Sequence, residues 1–281
     1  MRIEKAGEIG FCFGVKRAIN ILKKVAREQG GVETLGPVVH NQQVLQRLAK
    51  IGIRVATNLD DIQGNKVAIS AHGVSPQLER EIRARHIDII NTTCHFVHRA
   101  QVAARRLANS GFFVIIYGDA GHPEVKGILG WAEGKGVSAL DEKLITSLDP
   151  LPRRLGVLSQ TTQIPAHFTE FTKNLIGSTL AKDSEIRIID TICHDIRQRQ
   201  EEALKLAKRV DLMLVIGGHN SANSNRLAEL CSTVTKTYLV ETAAEIRASW
   251  FKGLDYIGIT AGASTGEPAI NEVVKKIEAM A

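Results

Sequence analysis

No stretch of this chain approaches the roughly 18 consecutive apolar residues that a membrane helix needs, so no membrane partner is expected. The opening residues, Met1-Arg2-Ile3-Glu4-Lys5, lack the apolar core of a secretory signal, which makes the cytoplasm the expected compartment. Aromatic residues are scarce, at 5%, and no long Lys/Arg tract occurs, which argues against a nucleic-acid partner. There is no Walker lysine motif and no G-x-G-x-x-G after a strand, so the common nucleotide cofactors have no support. Cysteine is limited to four residues, and none of them forms a C-x-x-C pair. In a reducing compartment that count argues against a disulfide framework, and the missing pairs argue against the usual structural zinc site.

What remains is an ordinary globular composition, 44% hydrophobic and 23% charged over 281 residues. That length allows one large domain or two to three small ones. The net charge of +6 favours an anionic substrate or an acidic partner. Short apolar runs (Lys66–Ser70, Phe112–Tyr117, Gly156–Ser159, Leu212–Ile216, Tyr256–Thr260) alternate with segments of helical period. The latter are Lys16–Glu28, Pro76–Arg85, Val97–Asn109, Phe168–Ile176, Gln198–Lys208 and Ala269–Ala279. Such alternation predicts parallel sheets with helices on both faces.

Three cysteines share one context. Cys12, Cys94 and Cys193 each end a strand-like run and open a helix-like one, with a basic residue about one turn later. A helix N-terminus and nearby cations are expected to lower a thiol pKa, and the thiolate is the form that binds metal or attacks. The cysteines lie 82 and 99 residues apart, and after each comes the same series of helix, strand, polar loop, helix and further strands. The expected units are 14–95, 96–193 and 194–281. The last has no terminal cysteine, and residues 1–13, with the strand Arg2–Lys5, are expected to supply it by closing the ring. The fold class is therefore α/β: three similar units with parallel sheets, arranged pseudo-threefold around a central site. A catalytic thiol would need one cysteine. Three thiolates without a fourth suit an iron–sulfur cluster that leaves one iron open to substrate. Cys231, inside a helical run, reads as a small core residue.

In open α/β sheets ligands bind beyond the carboxyl ends of the strands. The segments there are rich in small polar groups: Gly36–Asn41, Ser70–Gly73, Gly118–Glu124, Ser159–Gln163, Gly217–Asn225 and Thr260–Gly266. Glycine admits close backbone approach, and Ser, Thr, Asn and helix N-terminal amides donate to anions. With His40, His72 and His122 beside them, these loops read as a phosphate or diphosphate cradle. His219 could equally cap a helix, whereas His86, His98 and His167 read as surface residues. The Ser and Asn residues of Asn220–Asn225 exceed what one helix cap needs. The charged segment Arg197–Lys208 reads as a solvated face.

Eight motifs occur in order along the chain: Gly10-Phe11-Cys12-Phe13-Gly14-Val15, Val39-His40-Asn41, Ala71-His72-Gly73, Gly121-His122-Pro123-Glu124-Val125, Ser159-Gln160-Thr161-Thr162, Asp190-Thr191-Ile192-Cys193, Asn223-Ser224-Asn225-Arg226-Leu227 and Thr260-Ala261-Gly262-Ala263-Ser264. Together they resemble the LytB/IspH family of 4-hydroxy-3-methylbut-2-enyl diphosphate reductases, which perform the last step of the methylerythritol phosphate route to isoprenoids. The resemblance covers essentially the whole chain. It implies three α/β units around a 4Fe–4S cluster held by Cys12, Cys94 and Cys193, with one iron open to substrate. It further implies that His40, His72, Ser221, Asn223 and Ser264 bind the diphosphate, with His122 close to it. Glu124 would be the proton donor, and Thr161 would position the substrate hydroxyl. The implied reaction is a two-electron reductive dehydroxylation of an allylic alcohol to isopentenyl and dimethylallyl diphosphates. The basic charge fits an acidic electron donor such as ferredoxin or flavodoxin. Four positions depart from the family pattern: His95 after the second cysteine, Ile196 after the third, Ala222 in the Ser-Ala-Asn segment and Gly266. Two other readings stay open at this point. One is a non-redox hydro-lyase using the open iron as a Lewis acid, and the other is a cluster-based sensor or basic binding protein.

Overall fold

The computed structural model describes residues 1–179 and 183–280. Residues 180–182 and 281, which fall in the expected second and third units, lie outside the described residues. The chain opens with β1 (Arg2–Lys5) and then builds two sheets in succession. The first contains β2 (Val32–Leu35), β3 (Ile53–Ala56), β4 (Lys66–Ile69) and β5 (Asp88–Asn91) in the order β3-β2-β4-β5. The second contains β6 (Phe113–Tyr117), β7 (Gly136–Ala139), β8 (Arg154–Ser159) and β9 (Glu185–Ile188) in the order β7-β6-β8-β9. A third sheet uses β10 (Leu212–Ile216), β11 (Lys236–Val240) and β12 (Tyr256–Ala261), and its fourth strand is β1, giving β11-β10-β12-β1. Every pairing in the three sheets is parallel. The strand order is therefore the same three times over, and β1 holds the place that β5 and β9 hold in the other sheets. Arg2 pairs with Tyr256 and Lys5 with Ile259.

The helices follow from the periodicity of their apolar residues. In α1 (Phe13–Gln29) the stripe Ala18, Ile19, Leu22 and Ala26 is buried at spacings of one, three and four. Next come α2 (Gln42–Ala49), α3 (Pro76–Ala84), α4 (His95–Asn109), α5 (Pro123–Gly130) and the single turn α6 (Lys143–Thr146). They are followed by α7 (Pro165–Thr179), α8 (His194–Ala207), α9 (Ala222–Ser232) and α10 (Glu267–Glu278). The central strand β10 is buried at all five positions, as parallel strands covered on both faces should be.

Two expectations need correction. α1, α4 and α8 begin two to four residues before the periodic runs that announced them, because Cys12, Cys94 and Cys193 themselves stand at the N-cap with extended backbone. Cysteine is not among the residues that signal a cap. The segment Arg197–Lys208 is also not simply a solvated face. Arg199 and Gln200 are each only 3% exposed, on one stripe with Ile196, Ala203 and Leu206.

Candidate active site

The three N-cap cysteines lie beyond the carboxyl ends of the equivalent strands β1, β5 and β9, so the repeated topology carries each thiol toward one centre. Cys12, Cys94 and Cys193 line a single cavity, and no two of them come from the same sheet unit. Gly14 makes their approach possible: a Cβ there would stand 2.7 Å from the Cys94 Sγ, closer than side-chain atoms tolerate. Two sulfurs sharing one zinc are at most about 4.6 Å apart, twice the usual Zn–S bond. Among the described residues only a histidine trio brings three ligand atoms within 4.8 Å of one another. The three sulfurs do not all lie that close together, as ligation to one zinc would require, and soft thiolates are the donor set that an iron–sulfur cluster takes. Cys231 is fully buried in the core of the third unit, away from this cavity.

The expected lowering of the thiol pKa values is not found. Burial pushes Cys193 up to about 12 and raises Cys12 and Cys94, outweighing the helix N-terminal amides that act in the opposite sense. The cations one turn later do not serve the thiols either: Lys16, Arg17 and Arg99 are exposed, and Arg197 pairs with Asp190. The cation that acts on Cys12 and Cys193 is Arg199, which sequence reasoning missed. Its guanidinium donates to the Glu8 and Ala261 carbonyls at 3.1 and 2.9 Å. Its position three residues after Ile196, on the apolar stripe of α8, is the signal that could have found it. Deprotonation of three such thiols couples metal loading to proton release.

The rest of the cavity wall carries His40, His72, His122, Glu124, Thr161, Ser221, Asn223 and Ser264, so every residue singled out from the sequence for the site meets there. A larger hollow, about 1050 Å³, lies elsewhere, beside Glu33 and Arg54 in the first unit, and holds none of these groups. The three imidazole rings stand 5.0, 5.6 and 5.4 Å apart. Burial, and next the neighbouring imidazoles, holds His72 down at about 3 and His122 at about 4, and burial also lowers His40. The trio is uncharged near neutral pH. His122 Nδ1 accepts the Glu124 amide at 3.2 Å, which leaves the proton on Nε2. An imidazole so arranged offers a donor, which suits an anion better than a cation.

Several polar atoms of the cavity wall are buried without a protein partner among the described residues: His40 Nε2, both side-chain atoms of Asn223 and Ser264 Oγ. Each such atom costs about 1–3 kcal/mol when left unpaired, and together they mark a place for a polar ligand. Ser221 has a second task, capping α9 through the Ser224 amide at 3.4 Å. A Cβ on Gly218 would meet the His40 carbonyl at 2.3 Å, so this glycine lets the third unit close on the first. His219 is exposed and bonds Glu245 at 2.8 Å, outside the cavity. His86 and His98 are exposed and His167 is half-buried beside Glu229.

Glu124 is 2% exposed near the start of α5. Its Oε1 accepts the Thr161 amide at 2.7 Å, and its Oε2 accepts the Thr161 hydroxyl at 2.9 Å. Burial raises its pKa to about 6 against the opposing effect of those two donors. Of the departures, Ile196 and Ala222 line the cavity, whereas His95 lies on the surface and Gly266 caps α10.

Fold and site define a protein of three parallel-sheet α/β units that converge on one pocket of thiols, imidazoles and a buried carboxyl. The profile of the LytB protein family matches residues 3–278, and the chain belongs to that family. It is 59% identical over 278 residues to the 4-hydroxy-3-methylbut-2-enyl diphosphate reductase of Dehalococcoides mccartyi (strain CBDB1), covering 99% of this chain and 98% of that one. It is 44% identical to the protein of the same name from Geobacter sulfurreducens, with 99% and 97% covered. A solved (E)-4-hydroxy-3-methyl-but-2-enyl diphosphate reductase, described as the terminal enzyme of the non-mevalonate pathway, superposes with a TM-score of 0.70 at 36% identity over 99% of this chain and 100% of the other. The corresponding Plasmodium falciparum reductase gives 0.91 at 25% identity, over 98% and 87%.

Proposed function

We propose that this protein reduces 4-hydroxy-3-methylbut-2-enyl diphosphate to isopentenyl and dimethylallyl diphosphates. The observation that carries the reading is the convergence of three thiols, three neutral imidazoles and the Glu124–Thr161 pair on one cavity. Its relatives bear the name of that reductase. Cys12, Cys94 and Cys193 would hold a 4Fe–4S cluster, which supplies electrons and an open Lewis-acidic iron when bound. His40, His72, His122, Ser221, Asn223 and Ser264 donate hydrogen bonds to the diphosphate, and the unpaired atoms among them gain partners as it enters. Thr161 orients the substrate hydroxyl and holds Glu124 in place. Glu124, kept protonated by burial and by the nearby diphosphate charge, gives its proton to the departing oxygen, which leaves as water. Two electrons and a second proton complete the product as the C–O bond is replaced by C–H. We take 14–95, 96–193 and 194–281, with 1–13 closing the ring, as the three modules, a division that the β1–β12 pairing supports. A cytoplasmic setting keeps the thiols reduced, and the basic charge suits an acidic ferredoxin or flavodoxin as donor. No helix among the described residues is long and apolar enough to cross a membrane. The test is anaerobic turnover with reduced viologen as the electron source. Two electrons consumed per alkenyl diphosphate formed is the expected result, and loss of water from the alcohol without electron uptake, giving a more unsaturated diphosphate, would instead mean a hydro-lyase.

A further inference from the structure

The thiol pocket is unevenly covered. Cys193 is buried, whereas Cys12 and Cys94 are half-buried, and the residues that follow them form the outer surface. Phe13, next to Cys12, is 58% exposed, an unusual position for so large an apolar ring. It stands edge-on to His95 at 5.8 Å, and His95 lies on Phe96 at 4.0 Å. A hollow beside them is lined by Phe13, Arg17, His95 and His98. His95 and His98 also border a second hollow, which runs to Arg99, Arg106, Ile188 and Ile189. Ile188 and Ile189 are 43% and 38% exposed. This surface combines exposed apolar side chains with basic ones. Arg17 donates to the Thr93 carbonyl, and Arg99 lies over the Phe96 ring at 5.5 Å, so neither charge is neutralised there. Arg106 is exposed and forms no ion pair with a described residue.

We propose that this face, from Phe13 across His95 to Arg99, Arg106 and Ile188, docks a small acidic electron-carrier protein. The proposal rests on the reductase reading, because only a reaction that consumes electrons needs such a partner. Electrons enter most readily where the ligating residues come nearest to solvent, and here that is the side of Cys12 and Cys94. A one-electron carrier must meet the enzyme twice per turnover, oxidised once at each visit, so the complex must form fast and separate fast. A small contact that joins apolar and basic groups has those properties: long-range attraction speeds encounter, and the limited area keeps residence short. The departure at His95 falls inside this surface, so it bears on the partner and not on the substrate.

The experiment uses the cluster-loaded protein and a bacterial ferredoxin as probe. Affinity is measured by calorimetry at low and high salt for the parent, for Arg99→Glu/Arg106→Glu, and for a control reversal on α3, Arg80→Glu/Arg83→Glu. The parent is expected to lose affinity steeply with salt, and the first variant to bind at least tenfold more weakly at low salt. The control should bind like the parent. Cluster absorbance and viologen-driven turnover should stay unchanged in the first variant. Unaltered ferredoxin affinity in Arg99→Glu/Arg106→Glu, or an equal loss in the control, overturns the docking face. A parent without viologen-driven turnover would overturn the reductase reading instead, so the two failures are distinguishable.

Discussion

Glu124 has almost no contact with water, and among the described residues its two oxygens accept hydrogen bonds from Thr161 alone. Because an acid must hold its proton to deliver it, and the carboxyl titrates at about 6 in the free protein, kcat/KM should fall as pH rises above that value. The bound diphosphate raises the pKa further, so kcat should fall only at higher pH. Glu124→Gln keeps the shape of the group but cannot release a proton. With electrons in excess its kcat should drop by about 10²- to 10⁴-fold, while the pH dependence flattens. A Gln variant within a few-fold of the parent would remove Glu124 as the acid. The anion side is tested separately. His40→Ala, His72→Ala and Asn223→Ala should each weaken pyrophosphate binding by about 1.5–3 kcal/mol and leave the cluster spectrum intact. Binding should also take up protons as pH falls toward 6, since an anion raises the depressed imidazole pKa values. Unchanged affinity in all three variants would show that these groups serve structure and not recognition.

At the scale of single elements, the device repeated three times is a helix that starts on a cysteine. Gly14 is the tightest point of that device, so Gly14→Ala should force the α1 N-terminus away from Cys94. Overpacking of this kind costs about 1–3 kcal/mol, and both iron content and thermal midpoint should fall. A variant that matched the parent in both would mean that the contact relaxes freely. Much of this level is legible in the sequence. Except for the half-polar β2, the central strands announce themselves as apolar runs and the long helices by their period, and the residues beyond the strand ends are recognisable by their glycines and small polar side chains. Apart from β1, expected as Arg2–Lys5, the edge strands are not, because four-residue segments such as β5 and β9 are half polar and too short to stand out. The cysteines mark the starts of α1, α4 and α8 by their position after a strand-like run, although the apolar period itself begins two to four residues later. The thiol environment was misjudged because burial, a property of the assembled fold, outweighs the local helix terminus. Arg199 was hidden by its own chemistry: a charged residue reads as solvated until its neighbours on the stripe are counted.

At the scale of the whole molecule, the strand order repeated in three sheets brings one thiol from each unit to a common centre, and β1 closes the third sheet from the other end of the chain. Imidazoles from the first and second units, polar residues from the third and the carboxyl from the second complete the same cavity. Function therefore depends on the three distant thiols acting as one set. The most direct measurement is iron quantitation on anaerobically purified Cys12→Ser, Cys94→Ser, Cys193→Ser and Cys231→Ser proteins. The first three should each lose most of their iron and the thiolate-to-iron absorbance, and Cys231→Ser should keep both. Full iron retention in any of the first three, or a loss confined to the Cys231 variant, would contradict the assignment.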